Sequence, residues 1–193
     1  MDKRERLLQI LVEKSFLVGD FTLASGRKST YFLDFKATAS DPEGIALTGE
    51  LIFDAIRNMN HTVDAVGGAI FGAAPIVTAV QMVSYREGAP LPGFFVRKQP
   101  KDHGTQKYVE GHLPSDRAIN VIMIDDVITT AGSLLRATEH LKAGNPRINV
   151  VGVMALVDRE EGGSENIIKA GYELTTIFSI KDLWRMREEM NRD

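Results

Sequence analysis

The feature that most constrains the fold is the stretch 119–124, in which only Asn120 is polar and the other residues are apolar. A run this apolar suits a strand that is covered on both faces, as strands of parallel sheets are. Further strands and helices alternate with it, with strands predicted at 63–67, 93–97, 148–157 and 173–178 and helices from about 75, at 133–143, at 164–170 and from about 181. This alternation predicts an α/β fold with a mostly parallel central sheet flanked by helices.

The N-terminal part of the chain has a different pattern. Apolar residues recur at helical spacing over 3–15, and the stretch 21–35 is rich in aromatic and small polar residues around a turn at 25–27. We therefore expect a short helix followed by a hairpin-like lobe. Asp41 and Pro42 predict the start of a helix that ends at about Asn58. The 193 residues fit a single domain, with a small N-terminal region at about 1–40 and an α/β core at about 41–193.

Composition excludes several kinds of protein. The chain has no cysteine, which rules out disulfides, thiolate metal sites and a cysteine nucleophile. Its net charge of 23 − 26 = −3 gives no general attraction for nucleic acid. The uncharged stretch 65–85 is interrupted by glycines and a proline, so a strand and a buried helix explain it better than a membrane span. We expect a cytoplasmic protein that binds neither membrane nor nucleic acid.

Two adjacent acids, Asp125 and Asp126, follow the apolar strand, and a turn rich in hydroxyls at 129–133 leads into the next helix. Open α/β sheets bind ligands at this end of their strands. The N–H groups of the turn and the positive end of the helix suit a phosphate, whereas the acids suit sugar hydroxyls or a bound Mg²⁺. A ribose 5-phosphate satisfies both requirements. The alternative is a solvated turn with a helix cap, which an isolated acid pair would favour.

A cationic segment at 97–107 has a local charge of 4 − 1 = +3 in a chain that is acidic overall, and this reversal indicates an anionic ligand. Its charged residues are Arg97, Lys98, Lys101 and Lys107, with Asp102 as the acid. A solvated loop and a nucleic-acid patch are the alternatives. The single aromatic residue nearby, Tyr108, argues against a nucleic-acid patch, because grooves that bind single-stranded nucleic acid usually contain several aromatic side chains. Pyrophosphate fits better, and Gly104 would let the segment move as a lid.

The residues 124–133 resemble the phosphoribosyl-pyrophosphate (PRPP) motif of type I phosphoribosyltransferases. Three further segments resemble the orotate phosphoribosyltransferase family in the family's own order, at 21–34, at 96–104 together with 110–111, and at 157–159. The resemblance covers nearly the whole chain. It implies the type I phosphoribosyltransferase fold with a small N-terminal hood, and the transfer of 5-phosphoribosyl from PRPP to orotate. The products would be orotidine 5′-monophosphate and pyrophosphate, in de novo pyrimidine biosynthesis.

The same resemblance implies the roles of individual residues. PRPP would be bound by Arg97, Lys98, Lys101, His103, Asp125, Asp126, Val127, Ile128, Thr129, Thr130, Ala131, Gly132 and Ser133. Catalysis would involve Lys101, His103 and Asp126, and Mg²⁺ would be held through PRPP and by Asp125 and Asp126. Orotate would be bound by Thr129, Arg159, Lys28 and Phe32, although Arg159 could instead pair with a neighbouring acid at 158, 160 or 161. The protein would be a homodimer whose loop 97–111 reaches the neighbouring active site.

Some positions depart from the family's pattern. Ala131 stands where the phosphate turn usually has glycine, so either its φ is negative or the turn tolerates a Cβ at some strain. Ala24 and Gly72 stand where some relatives have lysine. The glycine-rich stretch 67–75 is a weaker candidate for a pyrophosphate loop. His61, His112 and His140 show no metal-binding pattern, and we expect them in loops or on the surface.

Two other functions share part of this pattern. A phosphoribosyltransferase for a purine or another base would have the same PRPP motif, but it would not need the segment 21–34 or this form of the cationic segment. A PRPP-sensing regulator would have an added basic helix or an eroded catalytic loop, and neither is visible in the sequence.

Overall fold

The computed structural model describes residues 2–22, 26, 28–99, 108–111, 113–114 and 116–192. Within these ranges the helices are α1 (Lys3–Lys14), α2 (Phe35–Ala39), α3 (Pro42–Arg57), α4 (Ile70–Arg86), α5 (Gly132–Gly144), α6 (Gly163–Lys169) and α7 (Ile180–Met190). The strands are β1 (Phe16–Thr22), β2 (Lys28–Leu33), β3 (Ala65–Ala69), β4 (Gly93–Val96), β5 (Val109–Gly111), β6 (Ile119–Ile128), β7 (Ile148–Asp158) and β8 (Leu174–Ser179).

Six strands form the main sheet in the order β5-β4-β3-β6-β7-β8. All neighbouring pairs are parallel except β4 and β5, which are antiparallel. The prediction of an α/β fold with a mostly parallel sheet flanked by helices is therefore confirmed. Because β3, β4, β6 and β7 run in the same direction, their carboxyl ends lie along one edge of the sheet. That edge carries the candidate functional residues.

The stretch 119–124 of β6 is almost entirely apolar because both faces of the strand are covered there. Ile122 and Ile124 belong to a core cluster with residues of α1, α3, α4 and α7. Val121 and Met123 belong to a second cluster with α5 and α6. All four of these side chains are fully buried. The alternation of side chains between two packed faces explains why an amphipathic pattern is absent from this strand.

The two N-terminal strands form a separate antiparallel hairpin, in agreement with the predicted lobe. It is anchored by aromatic rings: Phe16 lies 4.9 Å from Trp184 of α7, and Tyr31 lies 5.5 Å from Phe16 and 6.1 Å from Trp184, measured between ring centroids. Helix α1 packs against α3 and α7 and contributes Leu7 and Leu11 to the main core. Only the hairpin therefore lies outside the main sheet and its helices.

Several element boundaries differ from the sequence prediction. Helix α4 begins at Ile70 and contains Pro75, whereas the prediction started it near Pro75. The stretch 67–75 is therefore the end of β3 followed by the first turns of α4, and its interpretation as a loop was wrong. Strand β6 continues through the two acids to Ile128, because its pairing with β7 extends as far as Asp158. Strand β1 begins at Phe16 rather than 21, and α2 and β5 were not predicted.

The predicted cap of α3 is present in the structure, which also shows a side-chain cap at the start of α7. The Asp41 side chain accepts a hydrogen bond of 2.8 Å from the Gly44 N–H, and Pro42 is the first residue of α3, as predicted. Helix α7 begins with a capping box: Ser179 Oγ accepts from the Asp182 N–H, and the Asp182 carboxylate accepts from the Ser179 N–H. No helix within the described ranges is long and apolar enough to cross a membrane.

We expect the substitution Ser179→Ala to lower the free energy of unfolding by about 1 kcal/mol, because it removes one half of the capping box. Urea denaturation of the purified protein measures the change. Ser40→Ala is the control, since Ser40 is exposed and its side chain has no hydrogen bond within the described ranges; it should change stability by less than about 0.5 kcal/mol. Equal effects of the two substitutions would contradict the capping role.

Candidate active site

The acid pair, Asp125 and Asp126, lies within β6 near the carboxyl edge of the sheet. Asp125 is buried and Asp126 is half-buried. The Asp126 N–H donates to Asp125 Oδ1 at 3.1 Å, and the Val127 N–H donates to Asp126 Oδ1 at 2.9 Å. These backbone hydrogen bonds fix both carboxylates against the strand. The sequence prediction placed the acids after the strand, whereas the strand itself carries them.

Burial dominates the electrostatics of the acid pair. It raises the pKa of Asp125 to about 8, and the adjacent charge and hydrogen bond of Asp126 act in the same direction. The Asp126 N–H and the charge of Lys98 act in the opposite direction and are weaker. Asp125 therefore holds a proton at neutral pH in the ligand-free protein. Ligands that present cations or hydroxyl donors to this position would favour its ionised form.

Glycines make room for the acid pair. A Cβ on Gly72, in the first turn of α4, would lie 2.7 Å from Asp126 Oδ1 and 2.8 Å from Asp125 Oδ1. A Cβ on Gly68 of β3 would collide with the carbonyl oxygen of Ile124. The helix and the neighbouring strand therefore approach β6 as closely as the backbone allows. This close approach leaves the N-terminus of α4 directly beside the two carboxylates.

The phosphate turn, residues 129–133, follows β6 and leads into α5. Ala131 is the N-cap of α5 and provides no side-chain hydrogen bond, so no side chain caps the first N–H groups of the helix within the described ranges. Helix α6 braces the turn from outside: Asn166 Nδ2 donates to the Thr130 carbonyl at 3.1 Å, and a Cβ on Gly163 would lie 2.6 Å from the Thr129 carbonyl oxygen. An N-terminus of this kind can bind an anion.

Ala131 has a positive φ, which is the second of the two conformations expected from the sequence. Its φ is 59° and its ψ is 9°, in the left-handed region, so the turn tolerates a Cβ there at some strain. A non-glycine residue in this region costs about 1–2 kcal/mol. The methyl group is buried at the start of α5, where it packs with the second core cluster. Glycine would take this conformation without that cost.

The cationic segment is described only at its two ends. Arg97 Nε donates to Glu110 Oε1 at 2.8 Å, and the Arg97 N–H donates to the Tyr108 carbonyl at 2.8 Å. Lys98 is exposed, and its charge acts on Asp125. The other residues predicted in this segment lie outside the described residues: Lys101, Asp102, His103, Gly104 and Lys107. Their roles stay predictions.

Arg159 lies at the other side of the acid pair, after β7. Its side chain is 9% exposed, its Nη2 lies 2.9 Å from Glu161 Oε1, and its Nε donates to Tyr31 Oη at 3.0 Å. Its guanidinium carbon lies 4.7 Å from the centroid of the Tyr31 ring. The alternative of an ion pair with a neighbouring acid is therefore present in the structure. The Arg159 N–H also donates to the Ile128 carbonyl, which places Arg159 next to the start of the phosphate turn.

The structure does not bring all predicted orotate residues together. Phe32 is 38% exposed and lies 5.7 Å from Phe21 between ring centroids, and Lys28 Nζ donates to Thr22 Oγ1 at 2.8 Å. Successive residues of a strand point to opposite faces. Because Tyr31 faces Arg159, Phe32 and Lys28 lie on the other face of β2. Arg159 is hydrogen-bonded to the residue before Thr129, and the orotate-binding roles of all four residues stay predictions.

The sequence named Glu161 among the possible partners of Arg159 but gave no sign of the second partner, Tyr31. Tyr31 was visible only as an aromatic in a mixed strand, and nothing local connects it with a residue 128 positions away. The expectation for His140 was wrong, because this residue is half-buried within α5 and its ring lies 4.0 Å from the Tyr108 ring. His61 is exposed, as expected, and His112 and Ala24 lie outside the described residues.

Comparison with known proteins gives the same assignment. Residues 39–181 match the phosphoribosyl transferase domain family, so the protein is a phosphoribosyltransferase. An orotate phosphoribosyltransferase from Sorangium cellulosum is 43% identical over 180 residues, which cover 93% of this chain and 92% of the relative. The chain therefore belongs to the orotate phosphoribosyltransferase family.

Solved structures agree with this assignment. The orotate phosphoribosyltransferase of Mycobacterium tuberculosis in complex with Fe(III) dicitrate is similar with a TM-score of 0.80 and 30% identity, over 94% of this chain and 99% of that chain. The same enzyme in complex with PRPP gives a TM-score of 0.77 and 28% identity, over 94% and 99% of the two chains.

We expect Gly72→Ala to slow phosphoribosyl transfer about ten- to a hundredfold, because its Cβ would displace both carboxylates from their positions and misplacement of catalytic groups by about 1 Å has effects of this size. Steady-state kinetics with varied PRPP measures the change. Gly144→Ala is the control, since nothing lies within 4 Å of a Cβ there. Full activity of Gly72→Ala would show that the acid pair does not need this space.

We expect the stability of the ligand-free protein to fall as the pH rises from about 4 to about 8. Folded Asp125 keeps its proton up to pH about 8 and the unfolded chain loses it near the ordinary value of 3.8, so the folded state binds more protons in this window. Asp125→Asn should flatten the dependence, as measured by urea unfolding at pH 5 and pH 8.

Asp64→Asn is the control for this measurement. The backbone N–H of Asn120 and the side chain of Arg117 hold the pKa of Asp64 below its ordinary value, so Asp64 does not titrate in this window. This variant should keep the fall in stability. Parallel curves for wild type and Asp125→Asn would contradict the proton on Asp125.

Proposed function

We propose that the protein transfers the 5-phosphoribosyl group of PRPP to orotate, giving orotidine 5′-monophosphate and pyrophosphate. The observation that carries this proposal is the acid pair next to an uncapped phosphate turn at one edge of the sheet. The acid pair suits sugar hydroxyls, and the turn suits a phosphate. A phosphoribosyl group contains both at a fixed separation. Membership of the orotate phosphoribosyltransferase family supports the choice of orotate.

The proposed reaction breaks the bond between the anomeric carbon and pyrophosphate. Positive charge develops on the ribose ring as the bond breaks, as in other glycosyl transfers. Asp125 and Asp126 would accept hydrogen bonds from the ribose hydroxyls and lie close to the developing charge. Arg97, Lys98 and, from the cationic segment, Lys101 and His103 would stabilise the charge on the departing pyrophosphate.

Mg²⁺ is part of the proposal. Within the described ranges no group of three or more His, Cys, Asp or Glu side chains could hold a metal ion, but the acid pair offers two carboxylates. Mg²⁺ is commonly held by one or two carboxylates together with substrate phosphates, so these residues fit it. The ion would neutralise charge on the pyrophosphate oxygens. Asp125 and Asp126 would position it through their backbone-fixed carboxylates.

Arg159 would bind the carboxylate of orotate with its planar fork. Arg159 Nη2 lies 2.9 Å from Glu161 Oε1, and the guanidinium carbon lies 4.7 Å from the centroid of the Tyr31 ring. Exchange of Glu161 for the orotate carboxylate would leave the stacking on Tyr31 in place. Thr129, whose neighbour Ile128 accepts a hydrogen bond from the Arg159 N–H, would contact the base from the side of the turn.

A homodimer is also part of the proposal, with loop 97–111 of each subunit reaching the neighbouring site. Helix α4 supports it with an exposed apolar stripe: Phe71 is 86% exposed, Met82 54% and Tyr85 78%. Beside this stripe, residues of α3 and α4 line a groove of about 620 Å³. Exposed apolar patches of this kind mark interaction surfaces. Because Phe71 adjoins Gly72, a second copy on this surface would lie at the rim of the active site.

A cytoplasmic location completes the proposal. Helix α1 begins with charged residues and buries Leu7, Leu8 and Leu11 in the main core. The N-terminal segment is thus a structural part of the folded protein.

The test of the function is an assay with PRPP, Mg²⁺ and one of four bases: orotate, uracil, hypoxanthine or xanthine. We expect loss of orotate absorbance and no product with the other bases. Turnover of hypoxanthine or xanthine would support a purine phosphoribosyltransferase instead. PRPP binding without turnover of any base would support a PRPP-sensing regulator.

We expect Lys101→Ala to lower kcat about a hundredfold or more and to leave the KM for orotate nearly unchanged, because its charge acts on the departing pyrophosphate. Lys169→Ala, an exposed lysine of α6, removes the same charge far from the acid pair and should have wild-type kinetics. An unchanged kcat for Lys101→Ala would reject this assignment.

A further inference from the structure

Helix α5 carries an arginine, Arg136, whose side chain turns back towards the phosphate turn. A Cβ on Gly132, the first residue of α5, would lie 3.4 Å from Arg136 Nη1 and 3.7 Å from Thr130 Oγ1. The guanidinium and the threonine hydroxyl therefore lie on the same side of Gly132. An exposed arginine could extend into solvent along the helix, but this one lies beside the N-terminus.

The position is electrostatically unfavourable for a cation unless an anion is also present. A helix N-terminus carries a positive partial charge of about half an elementary charge, which repels a guanidinium. Within the described ranges Arg136 has no ion pair and no side-chain hydrogen bond, and Glu139, one turn further along α5, does not pair with it. Ala131, at the N-cap, contributes no side-chain acceptor. Two positive groups thus converge on the same space.

Arg136 also lines a cavity of about 130 Å³ between α5 and the end of β4. Its polar lining consists of Ser133, Arg136 and His140 from α5 and of Arg97 and Lys98 from the residues that follow β4. Pockets for organic ligands usually measure about 300–1,000 Å³, so this one suits a small anion.

Two other cations of this cavity act on acids outside the phosphate turn. Arg97 is held by Glu110 at 2.8 Å, and the charge of Lys98 acts on Asp125. Arg136 lies next to the phosphate turn, which has no basic residue of its own between 129 and 133.

We propose that Arg136 is a phosphate-binding residue that donates hydrogen bonds to a phosphate monoester dianion held at residues 129–133. The proposal rests on the proposed function, in which this group is the 5-phosphate of the ribose. The guanidinium would complete a shell that the helix N–H groups and the hydroxyls of Thr130 and Ser133 begin, and its fork can contact two oxygens of one phosphate. The same chemistry could instead come from the pyrophosphate end of PRPP, so the test separates the two ends.

The experiment is isothermal titration calorimetry with three ligands: orotidine 5′-monophosphate, inorganic phosphate and magnesium pyrophosphate. The proteins are wild type, Arg136→Gln, Arg136→Lys and the control Lys142→Gln, which removes a charge from the same helix near its C-terminal end. We expect Arg136→Gln to weaken the binding of the nucleotide and of inorganic phosphate about ten- to a hundredfold. The binding of pyrophosphate should weaken less than about twofold. Arg136→Lys should restore part of the affinity, and Lys142→Gln should bind like wild type.

Thermal unfolding separates a binding role from a structural one. Without ligand, Arg136→Gln should have the same or a higher Tm than wild type, because it removes a cation from a helix N-terminus. A clearly lower Tm would indicate that Arg136 stabilises the fold and would overturn the proposal.

The remaining binding outcomes are equally decisive. Weakened pyrophosphate with unchanged nucleotide binding would assign Arg136 to the other end of PRPP and overturn the proposal, as would unchanged binding of all three ligands or a wild type that binds no phosphate. If the wild-type protein binds phosphate through Arg136 but consumes no orotate, the proposed function is rejected. The assignment of Arg136 as a phosphate-binding residue then still stands.

Discussion

The structure depends on one constraint: β6 must carry two carboxylates to the edge of the sheet while both of its faces stay covered. Ile122 and Ile124 pack on one face, and Val121 and Met123 pack on the other. A strand enclosed in this way removes Asp125 from water together with its apolar neighbours. The high pKa of this carboxyl is the electrostatic consequence, and a ligand that presents cations or hydroxyl donors to it would favour the ionised form.

The helices and strands around β6 provide the other features of the site, which are space, N–H donors and positive charge. The N-terminus of α4 provides space, because Gly72 has no side chain to occupy it. The N-terminus of α5 provides N–H donors, and α6 holds the turn in shape through Asn166 and Gly163. Positive side chains come from α5 and from the end of β4. Each region of the site is thus positioned by an element that is itself packed against the sheet.

The order of strands and helices could be predicted from the sequence because apolar periodicity and helix caps are local signals. The ends of elements could not, since pairing with β7 carries β6 on to Ile128 and packing starts α4 at Ile70. The acid pair and the phosphate turn could also be predicted, because their residues are adjacent in the sequence. The contact of Tyr31 with Arg159 joins distant parts of the chain, and the φ of Ala131 follows from the shape of the turn rather than from its residue type.

The aromatic anchor of the hairpin gives the protein a built-in optical reporter. Trp184 is the only tryptophan in the sequence, and it lies 6.1 Å from the ring of Tyr31. Tyr31 in turn supports the guanidinium of Arg159. Any rearrangement around that guanidinium therefore occurs within two ring contacts of the indole, so intrinsic emission can follow events at the base side of the cleft without an attached dye.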